Sequence, residues 1–203
     1  MNLGFIQEFF NPTSVLDIGA NRGQFYNDTR PFFPNAEYFL IEANPECEEP
    51  LKTLGVSYYI GAISDSERTA TFYKSKADSM GFGNSFYKEK TDYYNSENLI
   101  EVEYKTTTLA KLFPNQIFDL VKIDVQGSEL DIIKGGLSLI KAAKGLILEV
   151  SVVEYNENAP LEPEVNSFME EIGFRPERTL GAHFNPITKE FIQKDMFFLN
   201  KNL

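Results

Sequence analysis

Val15, Leu16 and Ile18 form a short apolar run that breaks at Gly19 into a glycine-containing turn and then into amphipathic residues, the whole stretch running from Ser14 to Phe25. Buried strand, tight turn and helix start is the reading of that pattern, and it constrains the fold more than any other stretch. Gly19 and Gly23 let the backbone bend sharply and approach a bound molecule with no Cβ in the way, while the free N–H groups of the following helix face the same space. Asp17 adds a fixed negative charge at the strand's end. An acid there is ill suited to a pyrophosphate and well suited to a ligand carrying an ammonium group.

The rest of the chain repeats the alternation. A short helix is expected over residues 2–10, a helix over 22–32 stopped by Pro31 and Pro34, and a second buried strand over Glu37 to Glu42. Asn44 reads as an N-cap with Pro45 at the first helical position. Strands follow at 56–60, 69–74 and 100–107, the last two expected to pair, and then at 118–127 and 145–150. Ser128 opens a helix with Glu129 and Asp131 in its first turn, a short helix follows Gly135 and Gly136, and another over 163–172 closes at Gly173. The strands 174–179 and 191–199 should form an antiparallel hairpin joined through Gly181, Ala182, His183, Phe184, Asn185 and Pro186. Residues 75–98 are polar, glycine-containing and aromatic (Phe82, Phe86, Tyr87, Tyr93, Tyr94) and read as an insertion over the ligand face. Those rings either stack on an acceptor or pin the insertion to the core.

Alternating strands and helices imply an α/β fold with a parallel sheet, right-handed crossovers and a ligand crevice beyond the carboxyl ends of the strands, in one domain of 203 residues. The unusual polar residues fall at such ends: Asp17 to Gly23, Glu42, Gly61 to Asp65, Asp124 to Gln126, and Glu149 to Ser151. The net charge of −11 and a single histidine argue against a nucleic-acid surface, leaving small molecules or glycans as the expected partners. Cys47 is the sole cysteine, read as a small buried hydrophobe, so no intrachain disulfide can form and a reducing cytoplasm is expected. The N-terminus lacks a basic leader, and no apolar run approaches the roughly 18 residues of a membrane span.

Four motifs in this order carry a family resemblance: Asp17-Ile18-Gly19-Ala20-Asn21-Arg22-Gly23, Phe39-Leu40-Ile41-Glu42-Ala43-Asn44-Pro45, Lys122-Ile123-Asp124-Val125-Gln126-Gly127-Ser128-Glu129, and Ile147-Leu148-Glu149. Together they resemble the class I S-adenosylmethionine-dependent methyltransferases, and more narrowly the FkbM family. The resemblance implies a Rossmann-like, seven-stranded, mostly parallel sheet with its last strand antiparallel and an insertion after the third strand. It also implies methylation of a hydroxyl on a glycan, polyketide or related metabolite. Gln126 departs from the glutamate usual in the family, which puts any role as a base at that position in doubt, and little chain precedes the first motif.

Glu42 follows Gly19 by 23 positions, the separation at which an acid closing the second strand meets a ribose. Gly19, Ala20 and Asn21, with Gly23 in the same turn, are then expected along the methionine part of S-adenosylmethionine. Asp17 and Asp124 would face its ammonium group, Glu42 with Ala43 the ribose, and Ala62 and Ile63 the adenine. A nicotinamide dinucleotide would prefer Gly-x-Gly-x-x-Gly, which this turn does not match; a nicotinamide-dependent oxidoreductase and a non-catalytic cofactor-binding module are the alternative readings. For a base, His183 has the unperturbed pKa that suits an alcohol acceptor, and the hairpin loop should carry it to the ligand face; the bland alternative is a loop histidine bonded to a backbone carbonyl. Asp124, Glu129 and Glu149 are the other candidates. Three carboxylates could instead hold a divalent cation that polarises the acceptor, but oxygen ligands are not diagnostic, and no metal is expected.

Overall fold

The computed structural model describes residues 3–78, 80–91, 94–185 and 188–203. Tyr93, Pro186 and the first two residues, which entered the sequence reading, lie outside them. A 3₁₀ turn over Gly4–Glu8 takes the place of the expected N-terminal helix and leads into β1, Ser14–Ile18. Then come α1 (Gln24–Thr29), β2 (Glu37–Glu42), a 3₁₀ turn at Pro45–Cys47, α2 (Glu48–Thr53), β3 (Ser57–Ile60), β4 (Ala62–Ile63), β5 (Thr69–Ser75) and β6 (Leu99–Thr107). After α3 (Leu109–Leu112) the chain forms β7 (Leu120–Ile123), α4 (Glu129–Lys134), α5 (Leu137–Ala142), β8 (Gly145–Ser151), α6 (Glu162–Glu171), β9 (Phe174–Phe184) and β10 (Phe191–Asn200).

Seven strands make one sheet in the order β3-β2-β1-β7-β8-β10-β9, with β10 antiparallel to both its neighbours and the other pairs parallel. The order reverses at β1, so the crevice between the β1 and β7 ends is the topological switch point at which open α/β sheets take ligands. The strands alternate their side chains between two apolar layers. Leu16, Ile18, Val121, Ile123 and Leu148 face the layer built with α3, α4, α5 and α6, whereas Val15, Leu120 and Ile147 face the layer built with the N-terminal turn, α1 and α2. Each such fully buried aliphatic side chain contributes about 1.5–3 kcal/mol relative to exposure.

As expected, β5 pairs antiparallel with β6, and β4 joins them in a small second sheet. The 75–98 insertion is docked rather than loose: Tyr73 and Ser85 form a bridge, the Ser85 hydroxyl reaches the carbonyls of Val125 and Gln126 at 3.0 and 2.8 Å, and Tyr87 donates to Asp131 at 2.9 Å. Three expected boundaries shift. The strand foreseen over 118–127 is Leu120–Ile123, because the chain turns after Asp124 into a loop with Gln126 and Gly127 at positive φ. The helix foreseen from residue 22 begins only at Gln24 because Gly23 sits at φ +81°, outside the helical region. The penultimate strand runs eleven residues, to Phe184, because pairing with β10 continues past Thr179; His183 is therefore a strand residue opposite Gln193 and not part of a loop. Among the described residues no helix is long and apolar enough to cross a membrane.

Candidate active site

At the carboxyl ends of β1, β2 and β7 lies a hollow of about 300 Å³. Its floor is backbone. Gly19 has φ +78°, and a Cβ there would overlap the Asp124 carbonyl oxygen, so the first turn passes against the end of β7 only as glycine. Of the residues expected at a cofactor, Gly19, Ala20, Asn21, Glu42, Ala43, Ile63 and Asp124 line the hollow. Glu42 accepts the Asn21 N–H at 2.8 Å on one oxygen and the Asn44 N–H at 2.7 Å on the other, which fixes the carboxylate plane and leaves further lone pairs on both oxygens. Burial raises its pKa, and those two N–H donors oppose the rise. Ile41, Ile63, Phe72, Phe86 and Ile132 supply an apolar slot on the far side. The Ser128 hydroxyl, buried on the same wall, has no hydrogen-bond partner among the described residues.

Three expected ligand residues stand elsewhere. Asp17 is fully buried and does not reach the hollow: β1 alternation turns it with Val15 toward the α1 layer, where its register partner Lys122 places Nζ 3.3 Å away. Lys122 Nζ also lies 3.2 Å from Asp124, and these two carboxylates hold the ammonium charged, its pKa raised against the cost of burial. The cation lining the hollow is thus Lys122, a residue quoted in the third motif but given no role. Gly23 stands behind the turn against Leu54, and Ala62 is buried away from the wall. Cys47 is buried, its thiol pushed up to about 11, first by desolvation and then by the nearby Glu42 charge.

A second hollow of about 520 Å³ joins the first where Phe82, Asp124, Gln126 and His183 line both. Sheet register assembles its deep wall. Asp195 on β10 lies opposite Glu149 on β8 and opposite Gly181 on β9. A Cβ on Gly181 would come within 2.6 Å of Asp195 Oδ2, the oxygen that bonds His183 Nε2 at 2.9 Å. His183 is therefore bound to a carboxylate, not to a backbone carbonyl. That bond raises its pKa above the usual 6.5, with desolvation opposing. Glu149 takes Gln126 Nε2 at 2.5 Å and Gln193 Nε2 at 3.1 Å on one oxygen, so Gln126 serves as an amide donor. Burial first, and then repulsion from Asp124, Glu129 and Asp195, pushes the Glu149 pKa well above the carboxylate range.

Glu129 is withdrawn from the candidates. Its carboxylate accepts the Val125 and Gly127 N–H groups at 3.1 Å each, closing the loop after β7; burial raises its pKa to about 7 against those bonds. The cation-sized group of ligands is not Asp124, Glu129 and Glu149 but Glu149, His183 and Asp195, whose nearest ligand atoms all lie within 4.8 Å of one another. Sequence reasoning missed Asp195, Gly181 and Gln193, which have no motif and meet the site through pairing alone.

Sheet order, switch-point crevice and glycine turn define a Rossmann-like methyltransferase fold. Solved methyltransferase structures share it at low identity. A Pyrococcus horikoshii protein described as an RNA methyltransferase is 13% identical, with TM-score 0.53 over 97% of this chain and 78% of that one. Magnesium protoporphyrin IX methyltransferase from Synechocystis, solved with S-adenosylmethionine bound, is 12% identical, with TM-score 0.53 over 97% and 74%. The Burkholderia thailandensis 1,6-didemethyltoxoflavin N1-methyltransferase, solved with S-adenosylhomocysteine, is 14% identical, with TM-score 0.50 over 96% and 73%. No curated protein sequence matches the chain. The model of the methyltransferase FkbM domain matches residues 17–176, and the chain belongs to that family.

Proposed function

We propose that this protein transfers a methyl group from S-adenosylmethionine to a hydroxyl of a small hydroxylated metabolite or glycan, with His183 as the base. The observation that carries the reading is the His183–Asp195 pair, set where the two hollows meet. The first hollow fits the donor by the chemistry of its walls: a carboxylate, Glu42, with free lone pairs for a vicinal diol, an apolar slot for a flat base, and the unpartnered Ser128 hydroxyl. Gly19, Ala20 and Asn21 would hold the amino-acid part, with Asp124 facing its ammonium group. When bound, the sulfonium supplies an electrophilic methyl carbon, and in-line displacement then depends on alignment and exclusion of water.

Neutral His183, its Nε2–H donated to Asp195, takes the acceptor's proton at Nδ1, and Asp195 stabilises the resulting imidazolium. Lys122 offsets part of the charge of Asp17 and Asp124, one ammonium between two carboxylates, so the donor's positive charge meets only the remainder at the β1 and β7 ends. Calorimetry with S-adenosylhomocysteine and methyl transfer from labelled S-adenosylmethionine to hydroxylated acceptors test the reading. Micromolar binding with O-linked label is the expected result; no binding at millimolar ligand, or label found only on nitrogen or carbon, overturns it.

A further inference from the structure

The second hollow is electrically one-sided. Asp78, Glu89, Asp124 and Glu149 line it, and no lysine or arginine does so among the described residues. Neutral groups satisfy three of these four acids. Asp78 accepts the N–H groups of Met80, Gly81 and Gly83 at 3.2, 2.9 and 2.9 Å, Glu89 accepts the hydroxyls of Thr91 and Tyr155, and Glu149 accepts two glutamine amides. Only Asp124 is in ion-pair contact with a lysine, Lys122, which it shares with Asp17 and whose field also reaches Glu149. The Tyr155 hydroxyl lies in the fields of Glu89, Glu149 and Asp78 at once, and the Tyr94 hydroxyl in those of Glu89 and Asp78, so the acids surround a common space with aromatic rings at its side.

We propose that the acceptor is an amine-bearing polyol, such as an amino sugar, which seats its ammonium group among Asp78, Glu89 and Glu149 and so presents a neighbouring hydroxyl to His183. The inference rests on the methyl-transfer reading and narrows it. Buried carboxylates bonded only to neutral donors lack the charge partner that would offset their desolvation, and an entering ammonium supplies it. Rings of Tyr94, Tyr155 and Phe82 add the favourable cation–aromatic contact. A phosphorylated acceptor, RNA included, meets repulsion from the same wall, in keeping with the chain's net charge of −11. Burial raises the pKa of Glu89, so arrival of a cation beside it should expel a proton from this wall.

Calorimetry of the full chain saturated with S-adenosylhomocysteine tests this with two matched sets of probes: glucosamine, glucose and glucose 6-phosphate, and their galactose counterparts. The amine of at least one set should bind about tenfold tighter than its neutral partner, with a heat that varies with buffer ionisation as protons leave, and the phosphates should not bind. Glu89→Gln, which removes the charge at nearly unchanged size, should reduce that preference to about threefold or less. Equal binding of amine and neutral sugar, no binding of either, or tighter binding of a phosphate overturns the inference. So does Mn²⁺ binding that Asp195→Asn abolishes and that removes the amine preference, because the acids would then belong to a metal. Failure of S-adenosylhomocysteine to bind removes the methyl-transfer reading itself; its binding without an amine preference removes only the narrower one.

Discussion

The two hollows are built from different materials. The first is made of backbone: a glycine turn, the N–H groups that orient Glu42, and the end of β7 pressed against Gly19, all within short stretches of sequence. The second is made of side chains brought from β8, β9, β10 and the 75–98 insertion, and its chemistry depends on which residues sit opposite one another. Common ligand parts can be met by a fixed backbone shape, whereas an acceptor that differs among relatives calls for replaceable side chains on a stable frame. The donor end should therefore resist change and the acceptor end tolerate it.

Lys122→Met is the severest test. It leaves Asp17 buried without its cation, and the expected loss of stability is about 3–5 kcal/mol in chemical denaturation. A loss below about 1 kcal/mol would show that the donor end is no more tightly determined than the acceptor end. His183→Ala should slow methyl transfer about a hundredfold while stability and S-adenosylhomocysteine affinity hold, because the ring is half-exposed and the base acts only in turnover. An equal fall in affinity would merge the two hollows into one functional unit. Glu42→Ala should weaken cofactor binding by about 1–3 kcal/mol in calorimetry with acceptor KM little changed.

Asp195→Asn sharpens the contrast through pH. In the wild type the folded-state pKa of His183 lies above its usual 6.5, so the ion pair stabilises the fold below about pH 6.5 and that contribution fades as pH rises through the folded pKa. Activity runs the other way, since the base must be neutral. The rate should climb with pH through the raised pKa, and Asp195→Asn should move that climb to lower pH with a lower plateau; an unmoved profile would assign the titration to another group.

The donor end was largely legible in the sequence because its determinants are local. Gly19, Glu42 and Asn44 announce themselves by strand ends, spacing and capping, and they stand where such residues must. Asp17 was misjudged for a physical reason: an acid closing a strand looks like a ligand group, but strand alternation turns it to the opposite side from Ile18 and into an ion pair with a lysine 105 positions away. His183 could be picked as the only histidine, yet its partner could not, since nothing local in Gln193-Lys194-Asp195-Met196 marks the acid. The edge strand β9 is polar over Arg175 to Arg178 because one long side faces solvent, and its full length appears only through β10.

The irregularity between Asp195 and Met196 carries a consequence for how this end can vary. β10 meets β9 there with Leu180 skipped, so Gly181 and not a bulkier neighbour lies across from the acid. Slide β10 by a single residue and Lys194 or Met196 would take the place of the carboxylate, while the acid itself would turn into the greasy layer beneath. One residue removed between Phe191 and Met196 would unmake the histidine's partner without touching the histidine.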